Sequence, residues 1–343
     1  MTSGFNIATK ITNSPLFTAM CGLTDEEVLQ AIEMAGITGE EKLNAFNKMK
    51  ENYDGYICNE EDATHLFNTT LVMYYLRELS QVGRPPRNLV DGNLATTGTK
   101  IENMAGLVNR EDNYKALDEL LLTGEISGNL TDSFEIDKRF NKNDFISMLY
   151  YNGYLTIKEA DGMETIFTQP NYVTKVLYSS YFTQISETAK KYQIKTDKIE
   201  NAIIELGKNG NLEPLVEQVK YYIQHFSVRD KENFNEMNLK HIFEMLSMLT
   251  EQFAVYGEYH AGQGFTDILI KKATNSYAKY EAIMELKYIK EKDKRKANMK
   301  KLKQEAVKQL EDYMKDDRLG NIEHLKKYVV VFKGSEDYYV EEI

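Results

Sequence analysis

The chain has 343 residues, of which 42% are hydrophobic and 28% are charged, and its formal net charge is −11 at pH 7. This length is sufficient for two or three domains with hydrophobic cores of their own. The sequence contains no apolar run near the roughly 20 residues of a membrane-spanning helix, and its N-terminus lacks the basic and apolar segments of a signal peptide, so we expect neither a membrane protein nor an exported one.

Residues 1–110 are predicted to be mostly helical. Thr24 precedes three acidic residues, a pattern typical of an N-cap, because the hydroxyl accepts a free backbone amide and acids favour the positive end of the helix dipole. Further helices are expected from about Glu40 to Glu51 and from Ala63 to Gln81, the second of them ended by Gly83 and two prolines.

Cysteine and histidine are both rare in this chain. The two cysteines, Cys21 and Cys58, are predicted to be reduced core thiols, which places the protein in the cytoplasm. The five histidines are scattered, and no His-Glu-x-x-His or Cys-x-x-Cys motif occurs. These residues therefore do not predict a zinc site.

Residues 111–190 are predicted to form a small module. A helix from about Glu111 to Leu122 leads through a glycine-rich turn to a second helix, Asn143–Asn152, closed by Gly153. Two alternating segments around Asp161 and Gly162 are typical of a β-hairpin. A helix followed by a hairpin resembles a winged helix, but the helix has only Lys142 as a nearby cation, so its pattern favours packing over contact with DNA.

Residues 191–229 are predicted to be a helical connector. Two amphipathic helices flank a break at Gly207–Gly210. Their apolar residues keep helical spacing and predict core positions: Ile199, Ile203, Ile204 and Leu206, then Leu215, Val216, Val219 and Ile223.

Residues 230–343 are predicted to run helix, strand, strand, strand, helix, strand, strand. The first helix is expected over Asn235–Thr250 and the second from about Lys294 to Met314. Tyr328–Phe332 is a β-branched run suited to a buried strand, and Asp337–Ile343 is predicted to be an edge strand.

Acidic residues interrupt two of the apolar runs in this region. Asp267 opens the run Ile268–Ile270, and the run Ala282–Ile289 carries Glu285 and Lys287. Alternate residues of a strand share a face, so Glu285 and Lys287 are expected to point the same way, roughly 7 Å apart along the chain. Unpaired charges in buried strands cost several kcal/mol each, and a divalent cation is one way to offset that cost.

The Asp267…Glu285-x-Lys287 pattern resembles the Asp…Glu-x-Lys motif of the PD-(D/E)XK nuclease superfamily. The chain is similar to bacterial proteins in which an AAA-ATPase-like region precedes such a nuclease domain. Phe265 departs from the pattern, because many relatives carry a basic residue there. The resemblance implies a mixed α+β chain: a helical N-terminal region with a winged-helix-like module, followed by a C-terminal α/β restriction-endonuclease-like domain at 230–343.

The resemblance also implies a magnesium site. Asp267, Glu285 and the backbone carbonyl of Leu286 would bind Mg²⁺, with Mn²⁺ as a substitute, and Lys287 would assist hydrolysis of a phosphodiester. Two further acids, Glu236 and Glu258, are candidate metal ligands, although each has an ordinary structural explanation. Gln309, in a helix motif from Ala306 to Tyr313, is the last candidate site residue. The alternative is that Gln309 is an ordinary polar residue on an exposed helix face.

Parts of residues 1–110 resemble the later portion of the ATPase-like region. The segments that carry this resemblance are Thr2–Ile7, Tyr53–Tyr56 and Leu66–Thr70. No Gly-x-x-x-x-Gly-Lys-Ser/Thr occurs in the chain. The sequence therefore predicts no nucleotide hydrolysis, and the region is interpreted as the remnant of a longer domain.

The predicted partner is nucleic acid, with DNA favoured over RNA, despite the net negative charge. Basic residues dominate from Lys287 to Lys303, and physiological salt screens more distant charges beyond about 8 Å. This segment is defined here as the basic cluster; a solvated helix face is its simpler explanation. Two other functions stay open: a nucleic-acid-binding protein that retains the nuclease fold without activity, and a protein-interaction scaffold in which Glu285 and Lys287 form a structural ion pair.

Overall fold

The computed structural model describes residues 14–86, 88–90, 97–106, 110–131, 140–160, 163–189, 195–226, 228–250, 252–261, 264–273, 276–294 and 298–343. The chain divides into two compact units, the first comprising Met1–Thr96, Asn103–Ala116 and Glu125–Thr174, and the second comprising Thr97–Glu102, Leu117–Gly124 and Lys175–Ile343. The predicted connector therefore belongs to the same unit as residues 230–343, while the four-part division stays a prediction. Within the described ranges, no helix has the length and apolarity needed to cross a membrane.

The first helices of the chain are α1 (Asp25–Met34), α2 (Gly39–Tyr53), α3 (Thr69–Val82), α4 (Thr97–Ala105) and α5 (Arg110–Thr123). The predicted N-cap of α1 is confirmed. Thr24 Oγ1 accepts the amide of Glu27 at 3.3 Å, and the Glu27 carboxylate accepts the amide of Thr24 at 2.9 Å. The two residues thus satisfy two amides that the first turn leaves free.

The prediction that α3 begins at Ala63 is wrong, because the helix begins at Thr69. The backbone of Leu66 pairs with Tyr56, and that of Phe67 pairs with Leu23, so this segment is extended. Asn68 then caps α3 by accepting the amide of Leu71 at 3.1 Å. Leu66 and Phe67 are nevertheless fully buried.

A three-stranded sheet follows, with β1 (Glu125–Gly128), β2 (Thr156–Ala160) and β3 (Thr165–Thr168) in the order β1-β3-β2. The antiparallel pairing of β2 with β3 agrees with the predicted hairpin, whose turn, Asp161 and Gly162, lies outside the described residues. β1 was missed: its four residues were predicted to be part of a turn, but Ile126 pairs with Phe167 and is buried.

Helix α6 (Lys142–Tyr151) precedes this hairpin, and Gly153 beyond its end takes a φ of +75°. Phe145, Ile146 and Leu149 of α6 are fully buried. That burial supports packing as the role of α6, and the comparison with a winged helix stays a prediction.

The predicted core position of both cysteines is wrong for Cys21. Cys21 ends a short 3₁₀ helix, Pro15–Cys21, and is exposed, whereas Cys58 is half-buried; neither forms a disulfide. Leu16 and Met20 of the same short helix are also exposed. Thr18 is the one buried residue of this short helix.

The chain continues through α7 (Tyr172–Ala189), α8 (Thr196–Asn209), α9 (Glu213–Gln224), α10 (Val228–Asn233) and α11 (Glu236–Ser247). Helix α8 runs through the predicted break and ends where Gly210 takes a φ of +69°. The predicted core stripes of α8 and α9 are buried, except that Ile204, at the edge of its stripe, is 40% exposed.

The second unit contains a five-stranded sheet formed by β4 (Phe253–Ala261), β5 (Gly264–Lys272), β6 (Glu281–Ile289), β7 (Leu325–Lys333) and β8 (Asp337–Glu342), in that order. All neighbours are antiparallel except the parallel pair β6 and β7. Between these two strands lie α12 (Met299–Tyr313) and the short α13 (Asp317–Gly320). The predicted order of elements is confirmed, although α12 begins at Met299 because Asn298 caps it by accepting the amide of Lys301.

Helices cover both faces of this sheet. On one face, Leu269, Ile283, Val329 and Val331 pack against Ala306, Leu310 and Tyr313 of α12. On the other face, the ring of Phe243 of α11 packs edge-on against Phe332, with centroids 6.2 Å apart. The result is a mixed sheet between helices, which is consistent with a restriction-endonuclease-like fold.

Candidate active site

Strands β5 and β6 separate at one end, and the side chain of Asp267 lies where they part. Their backbones pair from Ile270 and Ala282 as far as Ile268 and Met284. One residue further on, Asp267 Oδ2 accepts the amide of Leu286 at 2.8 Å. A carboxylate thus replaces the next backbone acceptor, and it is buried with only 7% of its surface exposed.

Glu285 and Lys287 lie beside Asp267 on β6. Because strand residues alternate, all three share the sheet face that α12 covers. Lys287 Nζ is 2.7 Å from Glu285 Oε1 and 3.9 Å from Asp267 Oδ2. Glu285 Oε2 is buried and has no hydrogen-bond partner among the described residues. This oxygen has lost its water without gaining a donor, which is costly for an ionised carboxylate.

Helix α11 brings two more charged side chains to this place. Lys240 Nζ lies 2.6 Å from Asp267 Oδ1, the shortest ion pair that this carboxylate makes in the described part of the chain. Glu236 lies one turn earlier on α11, and its Oε2 accepts the amide of Tyr288 at 3.3 Å. Asn235 caps the start of α11, and Glu236 in the first turn therefore lies against the end of β6.

Helix α12 adds Gln309 and Tyr313, which are one turn apart. Burial, followed by the charges of Glu285 and Asp267, raises the pKa of Tyr313 to about 12, while a hydrogen bond with Gln309 opposes that rise. The Tyr313 hydroxyl therefore lies near both carboxylates and stays protonated. Gln309 is half-buried and contacts this hydroxyl, so it is not the exposed polar residue of the alternative explanation.

The electrostatics of the cluster follow from burial and like charges. Burial, and then the charge of Asp267, raises the pKa of Glu285 to about 7, against the opposing effect of Lys287. Burial also raises the pKa of Glu236. Burial alone would lower the pKa of Lys287, but Glu285 and the other two carboxylates outweigh it and raise that pKa, so the ammonium stays charged.

The structure thus brings Asp267, Glu285 and Lys287 into contact and places Glu236 and Gln309 at the border of the same cluster. The side chain of Glu258 lies outside the described residues; its backbone lies in β4, between residues that pair with Ile268 and Thr266. Among the described side chains, no three acidic, histidine or cysteine groups converge in a ready-made metal site. One reason is that Glu236 is turned toward the amide of Tyr288.

Two residues of the cluster were not predicted. Lys240 lies four positions after Glu236, and Tyr313 lies four positions after Gln309, so each shares a helix face with a predicted residue. That spacing could have pointed to both.

The basic cluster is described only in part, since Arg295 and Lys296 lie outside the described residues. Besides Lys287, two of its described lysines are paired with neighbouring acids: Lys294 Nζ is 2.8 Å from Glu291, and Lys301 Nζ is 3.7 Å from Glu305. Lys303 Nζ lies over the ring of Tyr339. The remaining described lysines are Lys290, directly after β6, Lys292 in a short 3₁₀ helix, and Lys300 in the first turn of α12.

Comparison with known families agrees with this geometry. The model of the PD-(D/E)XK nuclease superfamily matches residues 234–342, the span from the start of α11 to the end of β8. This part of the chain is therefore a PD-(D/E)XK nuclease superfamily domain. No curated protein matches the chain.

Members of this superfamily generally use divalent metals, and the side chains of this site suit such an ion. Asp267 and Glu285 offer hard carboxylate oxygens, which Mg²⁺ prefers. The buried Oε2 of Glu285 still lacks a partner among the described groups, as a metal ligand without its metal would. The fit is incomplete, because only two carboxylates converge, so water would have to complete the coordination.

Proposed function

We propose that this protein is a Mg²⁺-dependent nuclease that hydrolyses phosphodiester bonds of DNA, with Mn²⁺ as a substitute ion. The observation that carries the proposal is the contact of Asp267, Glu285 and Lys287 on one buried sheet face, where two strands separate within the superfamily domain. In this proposal, Asp267, Glu285 and the carbonyl of Leu286 hold the ion, and Glu236 and Glu258 are the candidates for a further ligand.

The residues divide the chemistry between them. A bound divalent cation supplies a Lewis acid that lowers the pKa of water and neutralises charge on the scissile phosphate. Lys287, held at 2.7 Å by Glu285, orients the attacking water or donates to the oxygen on which negative charge develops. Gln309 acts through the Tyr313 hydroxyl, which it helps to orient beside the two carboxylates.

Nucleic acid is the substrate class that the superfamily implies, and DNA is the more specific proposal. The described lysines of the basic cluster extend from Lys287 along the end of β6 into α12, so they could follow a phosphate backbone away from the site. The net charge of −11 does not oppose this, because salt screens the more distant acids. A cytoplasmic location, suggested by the cysteine content, belongs to the same proposal.

A second function is favoured by the ion pairs of Asp267. Lys240 and Lys287 together already neutralise much of the acidic cluster, so the fold does not require a cation for its charge balance. A protein that keeps this domain but only binds nucleic acid would have the same ion pairs at Asp267. That protein would bind DNA at low salt and leave it intact.

The proposal is tested by incubating labelled duplex DNA, and RNA of the same sequence, with the full chain in Mg²⁺, in Mn²⁺ and in EDTA. We expect cleavage of DNA with either ion and none in EDTA. Asp267→Asn should slow cleavage by at least about 100-fold. Asp337→Asn, an exposed aspartate of β8, should cleave as the parent does. Binding without cleavage under all conditions would favour the second function, and cleavage of RNA alone would correct the substrate.

A further inference from the structure

Lys240 makes the shorter of the two ion pairs at Asp267, although it is no part of the Asp…Glu-x-Lys motif. Its Nζ is 2.6 Å from Oδ1, whereas Lys287 Nζ is 3.9 Å from Oδ2. Oδ2 also accepts the amide of Leu286. Among the described residues, the two oxygens of Asp267 therefore have different ion-pair partners.

This ion pair is shielded from solvent. The side chains of Lys240 and Asp267 are 18% and 9% exposed. Attraction between opposite charges is stronger away from water, where screening is weak. Lys240 is anchored on α11, whose residues Leu239, Ile242 and Phe243 are fully buried, so the base of its side chain is fixed against the sheet.

The Lys240 ammonium lies in direct contact with an oxygen that a cation held by Asp267 would need. Mg²⁺ is held by oxygen ligands at about 2.0–2.1 Å. An ammonium 2.6 Å from Oδ1 would therefore crowd an ion bound to the same oxygen. Two cations at such close range repel each other, so Oδ1 cannot serve both at full strength.

The charges of the cluster lead to the same conclusion. Three carboxylates, Asp267, Glu285 and Glu236, face two ammonium groups, Lys240 and Lys287. A divalent ion would balance the three acids together with Lys287 alone, and the charge of Lys240 would then be in excess.

We propose that Lys240 is a built-in competitor of the divalent cation: its ammonium neutralises Asp267 in the metal-free protein and withdraws from Oδ1 when the cation binds. This inference rests on the proposed function, because it requires a cation site at Asp267. Lys240 is a positioning residue in this account. It keeps the acidic cluster folded without metal and weakens the affinity for metal at the same time.

The test is calorimetric titration of the metal-free full chain with Mn²⁺. Lys240→Met removes the charge and keeps most of the side-chain volume. We expect this variant to bind Mn²⁺ at least about tenfold more tightly than the parent, because a repelling charge beside the ion is gone. Lys240→Arg keeps the charge and should stay within about threefold of the parent.

Lys175→Met is the matched control. Lys175 forms an ion pair with another buried carboxylate, Glu244 of α11, at 3.1 Å. Its removal should leave the affinity for Mn²⁺ unchanged. Thermal unfolding provides a second readout: in EDTA, Lys240→Met should melt below the parent, and Mn²⁺ should raise its melting temperature by more than that of the parent. If Lys240→Met does not fold, Lys240→Gln makes the same test.

The outcomes separate this inference from the proposed function. Equal or weaker binding of Mn²⁺ by the uncharged variants would overturn the role of Lys240 and leave the metal site in place. If the uncharged variants bind Mn²⁺ and the parent does not, the inference receives its strongest support. If neither the parent nor any variant binds Mn²⁺, the metal site of the proposed function is wrong and the inference fails with it.

Discussion

Replacing Glu244 with glutamine is expected to destabilise the second unit by about 3 kcal/mol at pH 7 and by about 1 kcal/mol near pH 3. Glu244 is buried on α11, with its Oε2 at 3.1 Å from Lys175 Nζ and 3.8 Å from His241 Nδ1. Burial alone would raise the pKa of Glu244, but the charge of Lys175 and the interactions with His241 outweigh it and hold the pKa at about 2.

The lowered pKa of Glu244 determines how its stabilising effect changes with pH. A carboxyl whose pKa falls from its ordinary value of about 4.5 to about 2 on folding binds its proton less readily in the folded state. Its stabilising effect is therefore complete above pH 4.5 and is lost as the pH falls toward 2. Glutamine resembles the protonated carboxyl in shape, so the variant should lack this effect at every pH.

Urea unfolding followed by circular dichroism at the two pH values measures the difference. Glu305→Gln is the matched control, because Glu305 is exposed on α12 and lies 3.7 Å from Lys301. Its replacement should change the free energy of unfolding by less than about 0.5 kcal/mol at either pH. A loss at Glu244 that is equally large at pH 3 and pH 7, or below 1 kcal/mol at both, would refute the role of its ionised form.

Three further predictions concern the same unit. Gly257→Ala should cost about 1–3 kcal/mol in urea unfolding, because a Cβ there would collide with Glu244 Oε1, whereas Gly320→Ala, with its nearest neighbour at 3.8 Å, should not destabilise. Lys287→Met should lower the rate of DNA cleavage by at least about 100-fold without weakening calorimetric Mn²⁺ binding; undiminished cleavage would remove Lys287 from the mechanism. Gln309→Ala should slow cleavage by about tenfold and Gln304→Ala, at an exposed position of α12, should not; equal rates would show that Gln309 takes no part in catalysis.

Much of the C-terminal fold could be predicted because its local signals agree. The β-branched runs around Ile268 and Val330 are buried, and the order of helices and strands follows from the spacing of apolar residues. β1 was missed because four residues between a helix and a turn carry too little periodicity. The start of α3 was misplaced because Leu66 and Phe67 gain their burial from partners distant in the sequence.

In the candidate site, too, local signals could be predicted from the sequence and contacts between distant residues could not. Asp267, Glu285 and Lys287 could be named from the sequence because charges in apolar runs are conspicuous. Helix spacing relates Lys240 to Glu236, but the contact of Lys240 with Asp267 forms only when α11 packs beside the separated ends of β5 and β6. Nor does the sequence show that Glu285 Oε2 is left without a donor, which depends on which side chains reach it.

The central claim is that Asp267 and Glu285 jointly hold the ion that cleavage requires. The most direct measurement is the rate of duplex DNA cleavage in Mg²⁺ by the parent, by Glu285→Gln and by Glu281→Gln. Glu281 is the control, because it lies on the same strand and its Oε1 accepts the amide of Lys272, a bond that glutamine can keep. We predict that the parent and Glu281→Gln cleave at similar rates and that Glu285→Gln is slower by at least about 100-fold. A Glu285→Gln variant that cuts as fast as the parent would contradict the account.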